Sequence, residues 1–514
     1  APACSGVLVW LAMPEFALTS VIWVALIPLL LVMAACTSNR QYLLAGYIYG
    51  IVYAALCVKW ITVVPDFPLA GYVAMVAWIA IFPALFSLLL GIVWRTTGWQ
   101  LWLVAPPLWV VFEYLRVNLP VAPSPLALLG HVFYEYPPML QIASIASSYG
   151  PGFLVVLVNA ALAEAVLRVY AYRNGELLQK PVGRLWGPVG LALTVTVSSV
   201  AWGVMQLPKT GSEAESVMTV AAVQANIPQA MKWQRDRRSE ILDRHNDLTR
   251  KVVEKNTDLV VWPETAIPGD LKRTIFIRNY VGELAADLSV PLLVGSAAGD
   301  KDGSGAERTF KVTNSAFLVD TQGEIVDEYH KLKLLPFAEQ VPFGEEFPWP
   351  AWMTPAERSF TPGDGIHLLR LPTASIGVVI CWENLFPQLF RRFTDAGATF
   401  MVNMTNEAWF EDSEGGYYLL ASSVFRAVEN GVALLRVANT GVSALIDPHG
   451  NILQRITDQQ GNDLMVSGVL NVDVPFPLRP TFYRRYGDVF ALACLAATIM
   501  MLVYSRVPVS YTHL

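Results

Sequence analysis

Three stretches of this chain, residues 17–36, 69–94 and 185–207, contain no acidic or basic residue. Each is as long as the roughly 20 residues that a helix rising ~1.5 Å per residue needs to cross a bilayer. Four more stretches are shorter or carry isolated charges: 42–64 with Lys59, 98–117 ending in Glu113 and Arg116, 152–170 with Glu164, and 489–505. The opening run, 1–13, is apolar without a basic start and reads as a clipped first helix rather than a signal peptide. The pattern predicts about eight transmembrane helices, seven in 1–207 and one in a C-terminal segment, 487–514.

Between them, residues 208–486 change character. Short β-branched runs at 216–225, 257–262, 290–294, 313–319, 376–380, 399–402, 432–437 and 443–446 predict strands. Patterns with a charged face at 235–254 and 389–396 predict helices among them, hence one α/β domain. Two hairpins are expected, around Thr321-Gln322-Gly323 and around Pro448-His449-Gly450. Residues 336–365 are rich in Pro, Gly and aromatics without a period, as in a functional loop such as a lid. Within the apolar part, Gly46 and Gly50 share a helix face that a second helix could approach closely. Asn403-Met404-Thr405 matches a glycosylation acceptor but follows a buried-looking strand and is discounted.

Composition sharpens this division. The chain is 54% hydrophobic and 15% charged with a mean hydropathy of +0.42, and only 14 of its charged residues lie in the first 207. A membrane class follows. Basic residues in short loops are retained in the cytoplasm. With the N-terminus inside, Arg40, Arg95, the group Arg168, Arg173, Lys180 and Arg184, and Arg506 all fall on the cytoplasmic side. The opposite loops carry Glu15, Asp66, Glu135 and one clear basic residue, Arg116. The polar block then lies across the membrane. A net charge of −6 offers nothing to nucleic acid, and the six histidines have no paired spacing, so no metal site is expected. Cys4, Cys36, Cys57 and Cys494 sit in apolar spans as small hydrophobes. Cys381 alone lies in the polar block, a thiol with no disulfide partner there.

Three segments of that block run an apolar strand into a chemically capable side chain: 258–262 into Pro263-Glu264, Tyr329-His330-Lys331 before Leu334-Leu335-Pro336-Phe337, and 376–380 into Cys381-Trp382-Glu383-Asn384. Strand ends are where open α/β sheets place ligands. Taken singly, Cys381 is as readily an inert cysteine as a reactive one. Its place at a strand-to-helix switch favours reactivity, because a helix N-terminus lowers a thiol pKa. Glu264 and Lys331 alone read as a solvated carboxylate and a surface lysine. Lys333 would face the same side of a strand as Lys331, and His330 is an alternative base for Cys381.

The order Trp-Pro-Glu, then Lys with Pro-Phe-x-Glu, then Cys-x-Glu resembles the nitrilase superfamily, whose triad is Glu, Lys and Cys. Joined to apolar helices, the chain resembles the apolipoprotein N-acyltransferase family. Asn226-Ile227-Pro228-Gln229 with Lys232-Trp233, Asn406-Glu407-Ala408-Trp409-Phe410 and Arg436-Val437-Ala438-Asn439-Thr440-Gly441 carry the same likeness. The resemblance implies a nitrilase-like αββα sandwich inserted in a polytopic α-helical membrane domain. It implies Glu264 as general base, Lys331 as the cation for the oxyanion and Cys381 as nucleophile, with Glu339, Glu383, Trp233 and Trp382 in support. Ala338, Trp382 and Glu407 replace the family's commoner Gly, Tyr and Asp, none of them in the triad. The implied reaction takes an acyl chain from a phospholipid donor onto the thiol, then onto the N-terminal amine of a diacylglyceryl-cysteine apolipoprotein acceptor, with no cofactor. It is expected at the bacterial inner membrane, catalytic domain on the periplasmic face. Two alternatives stand at this point: a membrane-tethered amidohydrolase with water as acceptor, and a transporter with a ligand-binding exported domain.

Overall fold

The computed structural model describes residues 1–65, 67–174, 183–208, 216–232, 234–302, 309–344, 346–350, 360–476 and 479–506. Trp233, together with 345 and 351–359 of the loop expected to act as a lid, lies outside them. The chain separates into two compact units. One comprises 1–62, 69–207 and 486–514, the other 63–68 and 208–485.

The first unit is helical. Among the described residues, three helices are long and apolar enough to cross a membrane: Leu69–Thr97, Tyr149–Arg173 and Trp186–Gln206. Pro2–Ala12 and Val489–Tyr504 are shorter and apolar, and Asn39–Cys57 and Leu101–Asn118 complete the bundle. The stretch 17–36 is not the single helix its composition suggests. A 3₁₀ turn, Thr19–Trp23, gives way to a separate helix, Ile27–Ala35. Pro28 explains the break, since its ring and missing N–H oppose continuation from the preceding turn. Asn159, buried in the Tyr149–Arg173 helix, bonds both ends of the interruption: its Oδ1 accepts from Leu26 N–H at 2.8 Å and its Nδ2 donates to the Ile22 carbonyl at 2.9 Å. Gly46 and Gly50 are close-approach positions. A Cβ on Gly46 would strike the Pro83 carbonyl, and one on Gly50 would meet Ala80 at 2.7 Å.

The second unit is built on two sheets. The first contains β1 (Ser216–Gln224), β2 (Leu259–Val261), β3 (Ile267–Asp270), β4 (Leu292–Asp302), β5 (Thr309–Val319) and β6 (Ile325–His330). The second contains β7 (Leu368–Arg370), β8 (Ser375–Ile380), β9 (Phe400–Thr405), β10 (Leu434–Ala438), β11 (Ala444–Ile446) and β12 (Ile452–Arg455), in the order β12-β11-β10-β9-β8-β7. A last strand, β13 (Gly468–Phe476), returns to the first sheet and completes the order β13-β1-β2-β4-β5-β6, with β3 beside β4. Both expected hairpins are present, as the antiparallel pairs β5–β6 and β11–β12.

Helices Arg238–Val252 and Ile275–Leu288 bury Leu242, Val252, Ile277, Val281 and Leu284 against Ala221, Val260, Val294 and Phe317 of the first sheet. Pro387–Asp395 and Gly415–Asn430 pack on the second sheet, and the two sheets meet through β1 with β10, β5 with β8, and β9 with β13. The layering is α-β-β-α. β13 is not among the strands expected from β-branched runs, although its buried Leu470, Val472 and Val474 alternate with Asn471 and Asp473, as on a half-buried strand. A Pro is tolerated on such an edge strand, where one side needs no donor.

Candidate active site

Glu264 follows β2 and is 7% exposed. Two donors fix its carboxylate: Asn314 Nδ2 bonds Oε1 at 2.7 Å and the Asn406 main-chain N–H bonds Oε2 at 2.7 Å. The next residue, Thr265, has φ 44°, so the chain turns sharply once the carboxylate has been delivered. Lys331 follows β6 and is 1% exposed. Its Nζ lies 2.9 and 2.8 Å from the two oxygens of Glu339 and 3.7 Å from Glu264 Oε1. Glu339 also accepts from Leu335 N–H at 2.8 Å and from Asn314 at 3.2 Å. Burial alone would lower the Lys331 ammonium, but the Glu339 and Glu264 carboxylates outweigh it and hold it above the ordinary lysine range.

Cys381 follows β8 at φ 51°, a left-handed conformation that costs a β-carbon residue ~1–3 kcal/mol and recurs where a fold aims a functional group. The residue as a whole is partly exposed, yet its thiol lies inside the protein, close enough to Glu264, Lys331 and Glu339 to respond to their charges. Burial first, then the Glu264 charge, push the thiol up to about 12 against the opposing pull of Lys331. The helix following Cys381 is one 3₁₀ turn, Cys381–Leu385. It does not produce the lowered thiol pKa expected from a helix N-terminus, because so short a dipole cannot offset burial beside a carboxylate. At rest the sulfur is a thiol with a carboxylate nearby to take its proton.

The fold brings Glu264, Lys331, Glu339 and Cys381 together. Glu383 stands apart in role. Its carboxylate accepts from Tyr329 Oη at 2.9 Å and from the main-chain N–H groups of Leu332, Lys333 and Ile380 at 2.7, 3.0 and 2.8 Å, tying the exit of β6 to the exit of β8. Trp382 is half-buried, with its ring edge-on to Phe386 at 5.6 Å. Lys333 points elsewhere, with its Nζ 4.4 Å from the Phe386 ring. His330 faces the opposite side of its strand, with Nδ1 2.7 Å from Ser315 Oγ, and gains no support as the partner of Cys381.

The remaining sequence motifs interlock behind Glu264. Asn439 bonds the Ile227 N–H and carbonyl at 2.9 and 2.8 Å and donates to Asn406 Oδ1 at 2.9 Å. Asn406 in turn donates to Gln229 Oε1 at 3.1 Å. Fully buried Arg436 pairs with Glu407, donates to Asn403 Oδ1 at 2.9 Å and to the Val442 carbonyl at 2.8 Å. The network fixes the segment whose Asn406 N–H grips the carboxylate.

A family model described as carbon-nitrogen hydrolase matches residues 219–475, and one described as apolipoprotein N-acyltransferase N-terminal domain matches 5–161. A relative from Geobacter metallireducens named apolipoprotein N-acyltransferase is 35% identical over 98% of this chain and 94% of its own length. The chain belongs to the apolipoprotein N-acyltransferase family. Another member, from Rhodopseudomonas palustris, is 30% identical over 85% of this chain and 79% of its own. Among solved structures, Nit3 of Saccharomyces cerevisiae, a member of the nitrilase superfamily, aligns at 18% identity over 51% of this chain and 91% of that one, with a TM-score of 0.39. Within this N-acyltransferase family fold, sequence reasoning had passed over Asn314, which bridges the two carboxylates. Flanked by Thr313 and Ser315, it has no local signal that marks it out. Lys232, quoted only as part of a motif, proves to be buried beside Glu264.

Proposed function

We propose that this membrane-associated acyltransferase moves an acyl chain from a phospholipid to the N-terminal amine of a diacylglyceryl-cysteine apolipoprotein, through a thioester on Cys381. The observation that carries the reading is the buried grouping of Cys381, Glu264 and Lys331 at three strand ends, in a chain related over nearly its full length to apolipoprotein N-acyltransferases. Cys381 gives its proton to Glu264 as Sγ attacks the ester carbonyl, and the Lys331 ammonium stabilises the oxyanion. The ester C–O bond breaks, and the proton held by Glu264 passes to the departing lysophospholipid hydroxyl. The acceptor amine then attacks the thioester and loses a proton to Glu264, and as the C–S bond breaks that proton passes to Sγ and restores the thiol. Glu339 holds Lys331, Glu383 aligns the two strand exits, and Trp382, next to Cys381 in the chain, borders the acyl path.

The loop charges support eight spans with the catalytic domain, 208–486, on the periplasmic face. Acyl-chain substrates reside in a bilayer, which gives the apolar helices their purpose. The test supplies phospholipid carrying one labelled acyl chain and a diacylglyceryl lipopeptide with a free amine. Labelled amide, absent with Cys381→Ala, together with a labelled thioester on the Cys381 peptide in mass spectrometry, is expected. Labelled free fatty acid without amide would turn the reading into the amidohydrolase, and absence of any Cys381 acyl-enzyme would sink both.

A further inference from the structure

β8 and β9 run parallel with Ile380 beside Met404, so the next residue of β9, Thr405, comes level with Cys381. On its other side Thr405 pairs with Ala438 of β10, and it is 0% exposed. A hydroxyl so enclosed needs a partner for its hydrogen. Two are in reach. Glu407 Oε1 accepts it at 3.3 Å, a long bond to an oxygen that Arg436 already holds. The other is the Cys381 sulfur, with which the Thr405 hydroxyl is in hydrogen-bonding contact.

The same short segment serves both reacting groups. Thr405 reaches the sulfur with its side chain, and the main-chain N–H of the next residue, Asn406, bonds Glu264 Oε2 at 2.7 Å. The segment is itself held from β10: Asn439 N–H donates to the Thr405 carbonyl at 3.0 Å, and Asn439 Nδ2 donates to Asn406 Oδ1 at 2.9 Å. Lys331, by contrast, is drawn to the two oxygens of Glu339 at 2.9 and 2.8 Å and is assigned to the oxyanion. Negative charge that forms on a buried sulfur needs a donor of its own.

We propose that Thr405 is a further catalytic residue of this site, whose hydroxyl turns from Glu407 to the Cys381 sulfur and donates to it whenever that sulfur carries negative charge. The inference rests on the reading of Cys381 as nucleophile. As the thiol gives its proton to Glu264 and Sγ bonds the acyl carbon, the hydroxyl holds the sulfur on its path to the carbonyl. As the amine displaces the thioester, the electron pair of the C–S bond returns to sulfur. The hydroxyl then donates again until the proton from Glu264 restores the thiol. Thr405 keeps its own proton throughout, and only the direction of its O–H changes. Glu407 can release that hydrogen because fully buried Arg436 still donates to the same oxygen.

The experiment compares two variants of the full chain in detergent micelles carrying labelled phospholipid. Thr405→Val keeps the shape of the side chain and removes the hydroxyl, whereas Thr405→Ser keeps the hydroxyl and removes the methyl. Two single-turnover rates are read: formation of the Cys381 thioester, and its discharge to the amine of a diacylglyceryl lipopeptide. Thr405→Val should slow both roughly 10- to 100-fold, the range expected for one lost hydrogen bond to a charged group, with the concentration dependence on either substrate unchanged. Thr405→Ser should stay within a few-fold of wild type. Wild-type rates in Thr405→Val overturn the inference, as does a loss confined to weaker saturation by phospholipid. A loss in Thr405→Ser equal to that in Thr405→Val overturns it too, since the methyl and not the hydroxyl would then matter. If Thr405→Val does not fold, judged by gel filtration, Thr405→Ala set against Thr405→Ser makes the same comparison. A wild type that forms no thioester on Cys381 removes the nucleophile reading and this inference with it, whereas a wild-type thioester with an indifferent Thr405→Val removes this inference alone.

Discussion

At the scale of single residues, two lysines two positions apart have opposite fates. Lys331 is enclosed by carboxylates, while Lys333 lies over the Phe386 ring. Glu339→Gln removes the charge that holds Lys331 but keeps the size of the side chain. Formation of the Cys381 thioester should fall about 10²-fold, the order of loss seen when an oxyanion donor is removed, whereas Lys333→Met should stay within a few-fold of wild type. Equal losses in Glu339→Gln and Lys333→Met, measured by single-turnover acylation, would refute the assignment. Glu383 makes a prediction of another kind. Burial raises its carboxyl from 4.5 to about 6, despite the main-chain donors from Ile380, Lys333 and Leu332 that pull the other way. The fold therefore favours the protonated form. Its stabilising contribution is complete below about 4.5 and is lost as pH rises through 6, a total of about 2 kcal/mol. Glu383→Gln does not titrate, so the stability gap between wild type and variant should narrow by that amount from pH 4.5 to 7. A gap that stays constant would show that Glu383 is not raised. Glu264, Lys331 and Cys381 were singled out by the order of their motifs and the family resemblance that joins them, not by any one residue alone. Asn314 and Lys232 could not be, since nothing local distinguishes an amide or a lysine that will be buried by strands and turns arriving from elsewhere in the chain.

At the scale of elements, periodicity located the strands whose two faces are both covered. Residues 376–380 read as an unbroken apolar run, and 432–437 as one broken only by Arg436; they became β8 and β10. It missed β3 and β7, which are only four and three residues long, and β13, whose apolar positions alternate with Asn471 and Asp473 and form no continuous run. The apolar stretch 17–36 failed in the opposite sense. Its composition satisfies a spanning helix, but Pro28 divides it and Asn159 makes the division tolerable. In an apolar environment an unsatisfied peptide group is expensive. Asn159→Leu leaves Leu26 N–H and the Ile22 carbonyl without these partners, so the variant should lose ~2–6 kcal/mol, about 1–3 for each group. Thermal unfolding in detergent checks this, and an unchanged midpoint would mean that the interruption is satisfied in another way. Gly46→Leu should be at least as damaging, because its side chain would have to occupy the position of the Pro83 carbonyl.

At the scale of the whole molecule, the division between an apolar and a polar region was visible in charge density alone, and the chain separates into two compact units near the same positions. Sidedness is a further question, and its evidence lies in a handful of basic residues. Among the described residues, three helices satisfy length and apolarity by themselves. The eight-span proposal adds shorter ones, such as Val489–Tyr504, whose 16 residues rise ~24 Å and fall short of the roughly 30 Å hydrocarbon core. Short helices are accommodated by local thinning of the bilayer at modest cost, so length does not rule them out, and orientation is set by the basic loops. Two positions discriminate. Asn174 follows the Tyr149–Arg173 helix in the loop expected inside, and Gln322 lies exposed in the β5–β6 turn of the domain expected outside. Each is replaced singly by Cys in a background whose native thiols, Cys381 included, are Ala, and intact cells are treated with a membrane-impermeant maleimide. Gln322→Cys should react once the outer envelope is opened, Asn174→Cys only after the inner membrane is broken. The reverse order would put the thiol on the cytoplasmic side, where a periplasmic lipoprotein amine could not reach it. Equal labelling of both before lysis would mean that an even number of spans separates them and that the eight-span count is wrong.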